Sequence, residues 1–277
     1  MLRFSQLTRK YLVRIASKVF LILLYPTCSQ GHEAWVQPTN YQISTGSMLT
    51  ADIRVGQMFK GTTQIYNPER FVVLDVAQGE YRDRVRGRLG DLPAIVHPLK
   101  DPGLYIIGYQ SSGSTISYSN WEKFSTFIHK EGLDWVLEQH KEKGFPENNF
   151  DEVFYRHAKS VVSWRSPQGE DVKLGLPFEI VLLGNPYMGT STSIEVEVLW
   201  RSQPYTAAQL AVFKKSKNGV VIRTNYRTDS RGRTLFPIQA GHQYLLSSVY
   251  MEPRVSDTDT AVWNSHWASF TFEVPYN

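Results

Sequence analysis

A histidine that begins a chain can do chemistry that an internal histidine cannot. If the chain is cut after Gly31, His32 of His32-Glu33-Ala34-Trp35 becomes its first residue. The α-amino nitrogen and the imidazole Nδ1 then close a chelate ring on one metal ion. Imidazole suits zinc, copper, nickel and iron, and Glu33 can add an oxygen. The plainer alternative is that His32 only opens the first strand. No two of the seven histidines stand at the short spacing of a local metal site, so the fold must supply any further ligand. His266 and His157 are the candidates for that role. Trp35, Tyr155 and Lys159 are candidate ligand contacts; the last two are four residues apart and would meet on a helix. His140 and His157 fall on apolar faces, where a buried, hydrogen-bonded imidazole is the default. His97, before Pro98, reads as a solvated turn residue. Arg82, Arg84, Arg86 and Arg88 alternate and would share one face of an extended chain. With Glu80, Asp83 and Asp91 nearby they read as a solvated stripe rather than an anion site.

The condition on His32 is supplied by what precedes it. Arg3, Arg9, Lys10, Arg14 and Lys18 form a basic leader without acids, followed by the apolar run at 19–25 and then Pro26. Ser29 and Gly31 put small residues at the −3 and −1 places. Basic, apolar, then small is the order of a secretory signal peptide, and the run is shorter than the roughly 20 residues of a membrane span. Residues 1–31 are therefore expected to be removed. Membrane contact would then come only through an uncleaved leader. The chain has 30 Lys+Arg against 26 Asp+Glu, and the leader holds five of those bases. The remaining 25 against 26 give −1, which excludes a nucleic-acid role driven by net charge. The single cysteine, Cys28, also lies in the leader. A mature chain would thus have no disulfide and no disulfide-linked partner, and any metal site in it would use N and O donors.

The elements that must position these side chains are mostly strands. Residues 41–44, 49–55, 71–76 and 106–109, then 194–200, 208–213, 220–223 and 245–250, are short runs at the spacing of a sandwich. Asp101-Pro102-Gly103-Leu104-Tyr105 resembles the tyrosine corner of immunoglobulin-like sandwiches, and Gly241-His242-Gln243-Tyr244 repeats the signal in a transthyretin-like setting. Between them, Ser119-Asn120-Trp121-Glu122 reads as a capping box. Trp121, Phe124, Phe127 and Ile128 mark one helix ending at Gly132, Leu133 to His140 a second, and Phe150, Val153, Phe154 and His157 a third. The expected fold is mostly β, with two immunoglobulin-like or transthyretin-like β-sandwich domains. The first covers 32–173 with a helical insert at about 120–158; the second covers 176–277.

Several of these pieces recur in a fixed order. His32-Glu33-Ala34-Trp35 after a signal is followed by Arg54-Val55-Gly56 with Phe59 and Gly61, and by Pro102-Gly103-Leu104-Tyr105. Then come Glu122-Lys123-Phe124, Glu131-Gly132-Leu133 and Tyr155 with Ala158-Lys159-Ser160. Gly175-Leu176-Pro177-Phe178-Glu179, Asn185-Pro186-Tyr187 and Trp267-Ala268-Ser269-Phe270-Thr271-Phe272 complete the series. In this order they resemble the DUF4198 family of exported bacterial proteins, often described as periplasmic components of cobalt or nickel uptake. The resemblance implies a periplasmic or otherwise exported location, nickel or cobalt as the bound ion, and an inner-membrane metal transporter as partner. Some members carry histidine in the strand where Tyr250-Met251 stands here, which removes one ligand the resemblance would supply.

Catalytic readings find little to stand on. The chain has no Gly-x-Ser-x-Gly elbow and no Gly-rich phosphate loop, and a mature chain would have no cysteine nucleophile. A terminal histidine on a sandwich also suggests copper oxygenases with a histidine brace, but no motif places a second histidine beside His32. The expectation is an exported, non-catalytic protein that binds a divalent transition metal through a mature amino-terminal histidine for uptake. The alternative is an extracytoplasmic protein- or glycan-interaction module without metal.

Overall fold

The computed structural model describes residues 32–189, 191–254 and 260–276; the leader and its cleavage site lie outside them. The first part of the chain forms β1 (Glu33–Pro38), β2 (Gln42–Ile43), β3 (Met48–Gln57), β4 (Lys60–Gln64), β5 (Phe71–Gln78), β6 (Tyr81–Arg84), β7 (Ile95–Pro98), β8 (Gly103–Ser111) and β9 (Ser114–Tyr118). Two helices follow, α1 (Trp121–Glu131) and α2 (Trp135–Glu142), and then the long strand β10 (Phe150–Trp164). The rest is β11 (Phe178–Leu182), β12 (Ser193–Trp200), β13 (Gln203–Pro204), β14 (Gln209–Lys215), β15 (Val221–Arg227), β16 (Arg233–Pro237), β17 (Gln243–Pro253) and β18 (Ala261–Glu273). No helix among the described residues is long and apolar enough to cross a membrane.

These strands make two β-sandwiches that share their middle layer. The central sheet runs β15-β14-β17-β18-β10-β8-β5-β6, with β2 and β9 also paired to β10. One face carries the sheet of β1, β3, β4 and β7 together with the helices; the other carries the sheet of β11, β12, β13 and β16. Strand alternation decides which residue looks which way. Tyr105, Ile107 and Val162 join the first core with Leu49, Ala51 and Ile53. Leu104, Ile106 and Val161 join the second with Phe178, Ile180 and Val196. A boundary at 173–176 falls in a loop of the chain but runs through the central sheet, because β10 pairs in parallel with β18 from Asp151↔Ala261 to Ser160↔Thr271. The two expected domains are joined along that ladder.

The helical insert is shorter than 120–158. The hydroxyl of Ser119 is not the cap: Asn120 Oδ1 accepts from Lys123 N at 3.1 Å, and Gly132 closes α1 at φ 69°. The stretch expected as a third helix, with Tyr155, His157 and Lys159, is the strand β10. Its apolar residues sit at helical spacing because both faces of the strand are covered. Phe150 packs under the helices, Ala158 and Val162 into the first core, and Val161 into the second.

Both tyrosine corners form. Tyr105 Oη donates to Asp101 O at 2.8 Å and accepts from Lys100 N and Asp101 N, each at 3.1 Å. Tyr244 Oη accepts from Gln239 N at 2.8 Å. Other family-like residues are also architectural. Met58 and Phe59 turn β3 into β4 with φ near 51° and 57°, the twist a tight hairpin needs. Phe59 meets Trp35 edge-on at 5.6 Å. At Gly61 a Cβ would stand 2.4 Å from Val55 O, so the hairpin closes only on glycine.

Candidate functional site

The register of β10 against β18 sets Tyr155 beside His266. Tyr155, His157, His266 and Ala268 then share the face that looks toward β11 and β12. His157 Nε2 lies 3.4 Å from His266 Nδ1. Their rings are 16° from parallel with centroids 5.6 Å apart, so the two nitrogens face each other end to end. Tyr155 stacks on His266 at 5.0 Å and Trp200 crosses it at 4.5 Å. Tyr250 stacks on Trp200 at 4.2 Å. On the outer side of His266, Nε2 faces Glu252 Oε1 at 3.6 Å, and Arg201 holds the same carboxylate at 3.2 Å.

Burial holds both imidazoles neutral. It pushes His157 down to about 3, helped by His266, and His266 down to about 4, helped by Arg201. A hydrogen on His266 Nε2, directed at Glu252, leaves Nδ1 as a lone pair for an Nε2–H of His157. Neither His157 Nδ1 nor His266 Nε2, which stands 3.6 Å from Glu252, has a hydrogen-bond partner among the described residues. Two nitrogens on one tetrahedral ion, each about 2.0–2.1 Å from it, stand roughly 3.4 Å apart. The pair has that separation. Its end-to-end rings must tilt before both lone pairs converge on an ion. No group of three or more His, Cys, Asp or Glu among the described residues is placed to hold a metal.

The other expected ligands lie elsewhere. His32 sits on the opposite face of the central sheet, where its carbonyl is 3.5 Å from Arg156 Nη2. Arg156 and His157 are neighbours on one strand and point to opposite faces, so His32, His157 and His266 do not form one site. Glu33 is buried, 3.6 Å from Lys130, with Glu131 and Arg223 close by. Burial raises its pKa, with Lys130 opposing. Trp35 is only 1% exposed and donates to Gln37, so it is a core residue and no ligand contact. His97 is a buried strand residue in β7 and not a solvated turn. His140 is buried and hydrogen-bonded, as its apolar stripe implies: Trp263 Nε1 donates to its Nδ1 at 3.0 Å, and Pro146 O lies 3.1 Å from its Nε2. Arg82 pairs with Asp75 at 2.6 Å.

Lys159 is a structural pin. Its Nζ donates to Asp171 at 3.0 Å, to Glu179 at 2.9 Å and to Val172 O at 2.9 Å, and it is 1% exposed. Glu179 in turn accepts from the amides of Leu174, Gly175 and Leu176. The Gly-Leu-Pro-Phe-Glu segment thereby folds its own turn around one carboxylate and fastens it to β10.

A second buried acid sits under the helices. Glu152 accepts from Tyr118 at 2.9 Å and from Ser265, and burial pushes it up to about 7. With a folded pKa above its unfolded value, its contribution is complete below about pH 4.5. It is lost as pH rises through about 7, on the order of 3 kcal/mol in all. Glu152→Gln is expected to remove that loss, seen as a smaller fall in urea-unfolding free energy between pH 4.5 and 7.5.

No local pattern marks Glu252, Trp200 or Tyr250 as neighbours of the histidine pair. The one usable signal was period-two alternation, which puts Tyr155 and His157 on one face once 150–164 is read as a strand.

Among solved structures, the D0-D1 domain of intimin is similar at 9% identity and a TM-score of 0.21, over 86% of this chain and 97% of that one. A tetra-tandem repeat from the extending region of a large adhesion protein is similar at 9% identity and 0.20, over 88% of this chain and 50% of that one. No curated protein matches the sequence. The sequence model of DUF4198, a domain of unknown function, matches residues 29–252. The chain belongs to the DUF4198 family.

Proposed function

We propose that this is an exported, non-catalytic protein that binds a divalent transition metal, nickel or cobalt, for transfer to an inner-membrane transporter. The observation that supports it is the pairing of His157 and His266. Both imidazoles are neutral at pH 7, so neither has to lose a positive charge before it binds an ion. Glu252 stands behind His266 Nε2 as a carboxylate stands behind a metal-bound imidazole, favouring Nδ1 as the donor. Tyr155, Trp200 and Tyr250 shield the pair from water on one side. Water or an external ligand completes the coordination shell.

The amino-terminal chelate of His32 is the competing locus, and pH separates the two. Reference values near 8 for the amine and 6.5 for imidazole mean that a His32 chelate loses roughly 10³–10⁴-fold in affinity between pH 7.5 and pH 5. The buried pair, at about 3 and about 4, stays unprotonated over that range. Calorimetry with nickel, cobalt, copper and zinc is expected to show binding that persists at pH 5. It should be lost in His157→Asn and in His266→Asn, each checked for folding by circular dichroism. Binding that vanishes at pH 5 and in His32→Ala transfers the site to the amino terminus. No tight binding in any form rejects the metal and leaves the protein- or glycan-interaction reading.

A further inference from the structure

The first sandwich has a cleft of about 310 Å³ between β3 and β4 on one side and β5, β8 and β10 on the other. It lies on the face of the central sheet away from the histidine pair. Its lining contains two arginines, Arg70 and Arg156, and no acidic residue. Arg156 is the unusual one. Among the described residues no carboxylate lies within ion-pair distance of it. Among those residues the guanidinium makes one hydrogen bond, the 3.5 Å contact to His32 O, and its buried Nε has no partner. The guanidinium carbon lies 4.7 Å from the centre of the Phe154 ring. Burial lowers the Arg156 pKa, and the neighbour opposing that shift is Tyr109. Arg70 and Arg156 both act on the Tyr109 phenol, so the two cations converge on one corner of the cleft. The rest of the lining is mixed, apolar at Ile53, Phe71 and Phe154 and polar at Gln64, Asn67 and Ser114 among others.

A guanidinium partly removed from water without an anion costs folding free energy. Its planar fork matches one chemical group best, the carboxylate it can hold with two parallel hydrogen bonds. The cleft volume falls at the small end of ligand sites, about 300–1,000 Å³. The apolar part of the lining, Ile53, Phe71 and Phe154 above all, calls for a ligand with a body as well as a charge. We propose that this cleft binds a small organic monocarboxylate, its carboxylate on Arg156 and Arg70 and its apolar body against Phe71, Phe154 and Ile53. Inorganic anions share the charge but leave those walls uncovered.

The test is a titration of the purified protein with benzoate, hexanoate, benzamide and sulfate, followed by calorimetry and by thermal shift. Benzoate and hexanoate are expected to bind saturably and raise the melting temperature. Benzamide, which has the body without the charge, is expected to bind at least about 10-fold more weakly, as is Arg156→Met with benzoate, since hydrogen bonds to a charged group are lost in both. Arg70→Gln is expected to weaken benzoate by a smaller factor, because Arg70 lies at the exposed rim. Arg156→Met removes an unpaired, half-buried cation, so its ligand-free melting temperature should be no lower than that of the parent. If that variant does not fold, the comparisons of benzoate with benzamide and of Arg70→Gln with the parent decide. Equal binding of benzoate and benzamide, or undiminished binding by a folded Arg156→Met, overturns the proposal. Sulfate binding as tightly as benzoate also overturns it, in favour of an inorganic-anion site. Absence of any saturable binding overturns it outright.

Discussion

Replacing Lys159 by Met is expected to lower the unfolding free energy by about 3–5 kcal/mol, because it leaves buried carboxylates without their cation. The shape of the side chain is nearly kept, so lost packing contributes little. What is lost is the partner of Asp171 and Glu179, both almost fully buried. Asp171 already has a pKa raised by burial, with Lys159 the main opposing influence. Urea unfolding at pH 7 measures the loss. Adding Asp171→Asn to Lys159→Met is expected to recover part of it, since one stranded charge is then gone. A ligand-contact role for Lys159 predicts instead a variant of normal stability.

The second large effect belongs to the histidine pair. His157 and His266 have folded values near 3 and 4 against an ordinary value near 6.5. Below pH 6.5 the unfolded chain takes up protons that the folded chain refuses. The pair's contribution is therefore present above about pH 6.5 and is lost progressively as pH falls toward 3, on the order of 8 kcal/mol for the two rings together. Its slope is opposite in sign to that of Glu152. Between pH 6.5 and 4.5 the two histidine protons outweigh the one Glu152 proton, so the parent protein is expected to lose stability throughout the fall from about pH 6.5 to 4. The double variant His157→Gln/His266→Gln is expected to gain stability as pH falls from 7 to 5.5, because the Glu152 contribution then dominates. Unfolding free energies at pH 7, 5.5 and 4 distinguish the two curves.

Much of the fold is legible in the chain because its signals are local. Asp101 to Tyr105 carries the whole of a tyrosine corner within five residues, and Gly132 ends α1 by the one conformation that suits it. Strand β10 was not legible for a physical reason. A strand covered on both faces shows no alternation, and Phe150, Val153, Phe154 and His157 then fall at helical spacing by coincidence. The buried polar residues Glu152 and Lys159 add to the confusion, because their partners Ser265 and Glu179 come from other strands. The histidine pair spans 109 residues and exists only through the β10–β18 register. Nothing near either residue encodes it. The Arg156 cleft is hidden for the opposite reason: it is defined by a partner that is missing.

The parallel ladder between β10 and β18 also governs when the molecule can become itself. At synthesis rates of about 5–20 residues per second, the last strand follows β10 by roughly 5–20 seconds. Through that interval β10 has β8 and β9 on one side, while its other edge carries only β2 at Ser163 and Trp164 and stands open along 151–160, where β18 and, beyond it, β17, β14 and β15 will attach. The second sandwich cannot form without β8 and β10, and the first stays uncovered where β1 will meet β18. The nascent amino-terminal half is a waiting template, and its open edge is the place where a chaperone, or an unwanted neighbour, would take hold first.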